Sequence, residues 1–206
     1  MAAQGPAATR LAATVLLLRD DPLRVLMVER PSRGTFPSVM VFPGGSVDAA
    51  DGDPDDGTDI AIRAAALRET AEETGIGLDD PAALVPLAHW VTPPSEPRRF
   101  DTYFFVARAP EPAEARVDGI ELVSAEWIEP VQALRRHEAR AWRMLPPTAL
   151  NLHRVAEQET VEAVLAAARL RPHFTVRPDV VADPDGARRI RIPVEAGYTV
   201  SEWVLP

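Results

Sequence analysis

Apolar positions along this chain fall into short runs broken by charged or turn-forming residues, and the runs define its elements. Residues 12–18 and 24–29 flank Asp20-Asp21-Pro22, which reads as two strands joined by a turn. A third run at 39–42 stops at Pro43-Gly44-Gly45. Residues 48–59 are Asp, Gly and Pro with almost no apolar side chains, so a solvated loop is expected there. Between Thr58 and Thr74 alanines alternate with Ile60, Ala64, Leu67 and Ala71 at helical spacing. That pattern predicts a helix capped near Thr58 or Asp59, with this stripe facing the core and Gly75 ending it. Further strands are expected at 84–91, 100–107 and 124–128, and helices at 131–139, 148–158 and 160–170. The tail after Arg171 reads as β-rich, turning at Asp183-Pro184-Asp185-Gly186, while residues 1–9 are unpatterned and expected to be disordered.

Composition narrows the class. A length of 206 residues suits one domain with an appendage, and the apolar run at 11–18 is too short to cross a bilayer. Cysteine is absent, which removes disulfides, thiolate catalysis and Cys-based zinc sites. The net charge is −9, and all 22 basic residues are arginine. Nonspecific nucleic-acid binding is therefore disfavoured, and a small anionic ligand needs local arginines or metal ions. With no targeting signal, a cytoplasmic chain is expected, with no membrane or nucleic-acid partner; a homodimer stays open.

The unusual feature is Arg68-Glu69-Thr70-Ala71-Glu72-Glu73-Thr74-Gly75-Ile76. Glu69 lies three and four residues before Glu72 and Glu73, so their carboxylates share one helix face. Like charges at that spacing cost roughly 0.2–0.5 kcal/mol per pair, and acids in a last turn oppose the helix dipole by about 0.3–1 kcal/mol each. A solvated acidic face is the structural alternative. A hard divalent cation resolves the conflict, because Mg²⁺ takes a few carboxylates and leaves its other positions to water and phosphate.

Together with Pro43-Gly44-Gly45, this string resembles the Nudix box, G-x5-E-x7-R-E-U-x-E-E-x-G-U, where U is aliphatic. Six residues on from Gly45 stands Asp51 in place of the usual Glu, and sixteen residues separate it from Arg68 where seven are expected. Thr70 occupies an aliphatic position. The resemblance covers about residues 10–145 and implies the Nudix α/β/α sandwich with a mixed sheet, followed by a helical and β-rich extension over 146–206. It also implies roles. Glu69, Glu72 and Glu73, with the Gly45 carbonyl, would hold Mg²⁺ or Mn²⁺, and Arg68 would orient Glu72. A metal-activated water would attack one phosphorus in line. The base is a helix glutamate or an acid on a later loop, which Glu121 matches by order. In this reading Glu69, Glu73, Arg68 and Glu121 are the catalytic group.

Two segments are similar to coenzyme A diphosphatases of the peroxisomal type. They are Leu26-Met27-Val28-Glu29-Arg30, Arg33-Gly34 and Phe42-Pro43-Gly44-Gly45 on one side, and Trp90-Val91-Thr92-Pro93 with Arg98-Arg99-Phe100-Asp101-Thr102 on the other. They imply coenzyme A or an acyl-CoA as substrate, with Arg30, Arg33, Phe42 and Arg99 binding it. The final residues, Val204-Leu205-Pro206, are not a Ser-Lys-Leu address. Each residue has a plainer reading: Trp90, Phe104 and Phe105 as core, Arg98 and Arg99 as a solvated turn. His89, His137, His153 and His173 show no metal-ligand spacing. The alternatives are an ADP-ribose, NADH or dinucleoside polyphosphate pyrophosphatase, and a nucleotide sensor without turnover. Isoprenoid isomerisation is disfavoured by the lack of cysteine.

Overall fold

The long apolar runs pair into one mixed sheet. In the computed structural model, which describes residues 7–32, 38–52, 54–117, 119–183 and 186–204, strands β1 (Thr9–Arg19) and β2 (Arg24–Glu29) form the expected hairpin. After β3 (Met40–Val41) and β4 (Gly44–Ser46), the chain enters α1 (Pro54–Thr74). Strands β5 (Val85–Val91), β6 (Arg99–Arg108) and β7 (Ser124–Ile128) follow, then helices α2 (Pro130–Glu138), α3 (Pro146–Ala156) and α4 (Val161–Leu170). The tail carries β8 (Thr175–Val176), β9 (Asp179–Ala182), β10 (Arg188–Arg191) and β11 (Glu202–Val204).

The sheet runs β3-β2-β1-β6-β5-β8, with β4 added to β1 and β7 to β2. Its spine is the parallel pair β1 and β6, in register from Thr9 against Arg99 to Leu18 against Arg108. Because side chains alternate along a strand, β1 feeds two cores at once. Ala13, Val15 and Leu17 face α1, while Leu16 and Leu18 face α2, α3 and α4. This is the α/β/α arrangement of a three-layer sandwich. The tail strands β9, β10 and β11 form a small antiparallel sheet of their own, and Ile190 and Ile192 join the core beneath α3 and α4.

Three expectations need correction. Residues 48–59 are not a solvated loop: a 3₁₀ turn at Ala49–Asp51 buries Asp51, and α1 begins at Pro54. The extra residues in the box extend the helix at its N-terminus, with Pro at a position where its missing N–H costs nothing. Second, the buried stripe of α1 is Ala61, Ile62, Ala65, Ala66, Thr70 and Glu73; of the expected stripe only Leu67 packs against the core, while Ile60 and Ala71 are exposed and Ala64 is half-buried, Ile60 being 71% exposed against 1% for Ile62. Alanines populate every side of this helix, so the sequence carried its period but not its phase. Third, Thr9 is already in β1, paired with Arg99. Residues 1–6 lie outside the described residues. No helix among the described residues is long and apolar enough to cross a membrane.

The burial of Ile62 and exposure of Ile60 make a paired test. Ile62→Ala is expected to destabilise the fold by about 2–4 kcal/mol, the range for a buried aliphatic truncation. Ile60→Ala is expected to stay within about 0.5 kcal/mol. Urea unfolding of the two variants reads both; equal effects would place the helix in the other phase.

Candidate active site

The site is built where the end of α1 meets the strand that begins with glycine. Gly44 and Gly45 sit on β4 against the start of β1, in register with Thr14 and Ala13. A Cβ on Gly45 would come within 2.3 Å of the Glu69 carboxyl carbon, and one on Gly44 within 2.2 Å of the Ala13 carbonyl. Gly44 also has φ +149, which L side chains rarely adopt. Glycine at these two positions leaves room for β1 on one side and for the Glu69 carboxylate on the other.

That approach positions Glu73. Its carboxylate accepts the Gly44 N–H at 2.8 Å and lies 3.7 Å from the Arg30 guanidinium, which also donates to the Gly44 carbonyl at 3.1 Å. Burial pushes the Glu73 carboxyl up to about 7, assisted by the negative charges of Glu69 and Glu121; the Gly44 N–H and Arg30 pull the other way without prevailing. Glu69, also raised by burial, faces the same cavity.

Arg68 holds the remaining acids. Its Nε and Nη2 clasp Asp51 at 2.9 and 2.8 Å, and Nη1 donates to Glu69 at 2.8 Å and Glu72 at 3.0 Å. Nη2 also reaches the Ser46 carbonyl at 3.2 Å, so one guanidinium ties α1, the 3₁₀ turn and β4 together. Its acid partners hold the Arg68 proton more firmly than usual, and the Arg68 contact holds the Asp51 carboxyl below its usual range. Asp51 thus occupies the clamp position despite the interrupted spacing. Thr70 is fully buried, and its hydroxyl donates to the Ala66 carbonyl at 2.7 Å, which lets a polar side chain stand where an aliphatic one is expected.

A cavity of about 440 Å³ opens beside these groups. Of the sequence-predicted residues, Gly45, Glu69, Glu73, Arg30, Phe42 and Glu121 line it. Others do not reach it. Glu72 is exposed and paired with Arg68. Arg68 lies behind Glu69, outside the cavity lining. Arg99, expected to bind substrate, spends its guanidinium on the Thr92 and Ala7 carbonyls at 3.2 and 2.7 Å. Arg33 lies outside the described residues. Sequence reasoning missed Arg10, which lines the cavity because Arg10 in β1 is level with Phe100 in β6. No local motif marks it; only the pairing of strands some ninety residues apart brings it there. The plainer reading of Trp90, Phe104 and Phe105 holds in that all three are buried, yet Phe104 also lines the cavity.

The chain belongs to the Nudix family, whose NUDIX domain model matches residues 8–159. It is 27% identical over 183 residues to nudix hydrolase 7 of Caenorhabditis elegans, covering 72% of this chain and 61% of that protein. The chain therefore spans about three fifths of that relative's length. Among solved structures it is similar to a NUDIX hydrolase from Alicyclobacillus acidocaldarius, with 27% identity, 77% of this chain and 96% of the other covered, and a TM-score of 0.68. An Ap4A hydrolase from C. elegans aligns at a TM-score of 0.53 and 16% identity, over 77% of this chain and 99% of that one. The NUDIX domain of Shewanella oneidensis NrtR, solved with ADP ribose, aligns at 0.50 and 19%, over 73% and 86%. The last two show the fold.

Nudix proteins generally use divalent metal ions. The donor set suits one: Glu69 and Glu73 present hard oxygens to one cavity, and their mutual repulsion and burial are relieved by a cation. Among the described residues no cage of three acids is formed, so water and substrate phosphate would complete the coordination, the usual habit of Mg²⁺.

Two outcomes follow from this geometry. Asp51→Ala leaves Arg68 part-buried without its bidentate partner and is expected to cost about 2–4 kcal/mol, as for a broken buried charge contact. Replacing residues 51–58 by a Gly-Ser bridge removes the same clamp, so it should destabilise the protein as much; retained stability by calorimetry would show Asp51 to be dispensable. The second outcome concerns pH. In chelator, Glu73 is protonated in the fold up to about 7 but ionises near 4.5 when unfolded. The folded state then binds the extra proton, so this group's contribution to stability falls as pH rises from 4.5 to 7. The difference in unfolding free energy between wild type and Glu73→Gln should slope downward across that window and flatten above it. A difference independent of pH would refute the raised carboxyl.

Proposed function

We propose that this chain is a Mg²⁺- or Mn²⁺-dependent diphosphatase of nucleotide derivatives, with coenzyme A or an acyl-CoA as its substrate. The observation that carries the reaction is the placement of Glu69, Glu73 and Glu121 around one cavity that also holds arginine. A bound divalent cation would neutralise the diphosphate oxygens and lower the pKa of a coordinated water.

The chain's own residues supply the rest. Glu69 and Glu73 would hold the cation, with Arg68 fixing Glu69 and Arg30 fixing Glu73 against Gly44. Phe42, 2% exposed, forms an apolar wall that keeps bulk water from one side of the phosphates. Glu121 faces Glu73 closely enough to act on its charge, and it is the group proposed to take the proton of the attacking water. The water oxygen bonds to one phosphorus, the bridging P–O bond breaks, and the leaving phosphate departs with the other half of the substrate.

Arg10 is the cavity arginine best placed to meet a further phosphate. Arg30 is committed to Glu73 and Gly44, whereas Arg10 makes no ion pair among the described residues. Coenzyme A has a 3′-phosphate that ADP-ribose and NADH lack, and a guanidinium contact to it is worth about 1.5–3 kcal/mol, roughly ten- to hundredfold in efficiency. In the presence of Mg²⁺, kcat/KM should be higher by about that factor on coenzyme A than on dephospho-coenzyme A, ADP-ribose, NADH or diadenosine tetraphosphate. Arg10→Ala should erase the preference, and chelation should abolish turnover on all of them. Equal efficiency on coenzyme A and its dephospho form, or a preference for ADP-ribose, would overturn the substrate; turnover in chelator would overturn the metal.

A further inference from the structure

A second hollow, of about 190 Å³, adjoins the cavity at the carboxylates. The two share Thr92, Thr102, Phe104, Leu145 and Pro147, so they adjoin along a common wall. Its far walls are Trp90, Pro178, Val180 and Ile190. Of these, Pro178, Val180 and Ile190 come from the tail, beyond residue 159 where the family match ends. The walls are held in place. The Trp90 indole N–H donates to the Tyr198 hydroxyl at 2.9 Å, and that hydroxyl donates to Asn151 at 2.7 Å. Arg188 of β10 is hydrogen-bonded to Glu96, a lining residue on the loop between β5 and β6, which ties the tail sheet to one wall of the arm.

We infer that the tail turns this arm into a subsite for an aliphatic group carried on one phosphate of the substrate. A purine is a poorer occupant. Its ring nitrogens would need partners, but the Trp90 N–H is spent on Tyr198, Glu96 is paired with Arg188, the Thr92 hydroxyl accepts the Phe100 N–H at 3.0 Å and Arg98 is itself engaged, which leaves Thr102 as the remaining polar side chain of the lining. An alkyl chain asks nothing of these groups, and each methylene it buries is worth about fourfold in affinity. The common wall with the cavity sets the order of the ligand: diphosphate at the carboxylates, apolar tail against Val180 of β9 and Ile190 of β10. This inference rests on the diphosphatase reading but not on coenzyme A itself.

The test uses β-phosphate alkyl esters of ADP, from methyl through butyl to octyl, with diadenosine diphosphate as the purine counterpart. With Mg²⁺, kcat/KM should rise at least about tenfold from methyl to butyl and level off once the chain outgrows the arm. Val180→Asp and Val180→Trp, which charge or fill it, should bring the butyl-to-methyl ratio towards one; a ratio unchanged in both, with the fold intact by circular dichroism, overturns the inference. Hydrolysis that is indifferent to chain length, or best on diadenosine diphosphate, overturns it while leaving the diphosphatase standing. Calorimetric binding of the same esters to the metal-free protein separates the remaining cases. If none is hydrolysed but the butyl ester binds tighter than the methyl, the subsite is right and the diphosphatase reading wrong. If binding is also independent of chain length, both are wrong.

Discussion

Everything in the site depends on how closely a main chain can approach a helix. Gly45 stands where any side chain would collide with the Glu69 carboxyl, and Gly44 donates its N–H straight to Glu73. This contact sets the depth at which two carboxylates sit in the protein, and depth sets their proton affinity. A single methyl group at position 45 would occupy the place of the Glu69 carboxylate and force that side chain to move. The placement of both acids thus rests on an absence of atoms at two adjacent residues.

Arg68 is the complementary device. A lone guanidinium serving Asp51, Glu69, Glu72 and the Ser46 carbonyl uses the planar fork that a lysine lacks, and it does so in a chain with no lysine at all. Because Asp51 is nearly sealed from solvent, its contact with Arg68 is an internal tie between helix and turn rather than a surface ion pair. The consequence is a division of labour along α1. Residues 62–66 anchor the helix by packing, and residues 68–73 orient charge from that anchor.

Much of this was legible beforehand, for identifiable reasons. Strands β2 and β7 run between the residues their apolar pattern indicates, because each is a compact run bounded by turn residues or charges. The acids of α1 stood out because acids at a helix C-terminus are costly and demand a cause. The phase of α1 was not legible, since alanine marks no side as inner or outer. Nor was the fate of residues 48–59: a polar stretch reads as a loop until one learns that Arg68 waits for Asp51. Arg10 and Arg99 show the limit of local motifs. Arg99 lay in a suggestive segment but is used to strap the N-terminal backbone, whereas Arg10 lay in none and reaches the cavity through strand pairing.

The ladder between β1 and β6 has a bearing on how the protein comes to be folded. Its ten parallel pairs join residues ninety positions apart, and the hairpin, the glycines and the whole of α1 lie in the span between them. Closing so long a span costs entropy before any contact repays it, and folds dominated by non-local pairing fold slowly. The cavity cannot exist until that closure, because Arg10 enters it from one side of the ladder and Phe100 and Thr102 from the other. Until then the hairpin of β1 and β2 presents an apolar edge to solvent, a surface inviting pairing with another chain. The strand arrangement that assembles the site thus also sets the period during which the nascent protein is most exposed to aggregation.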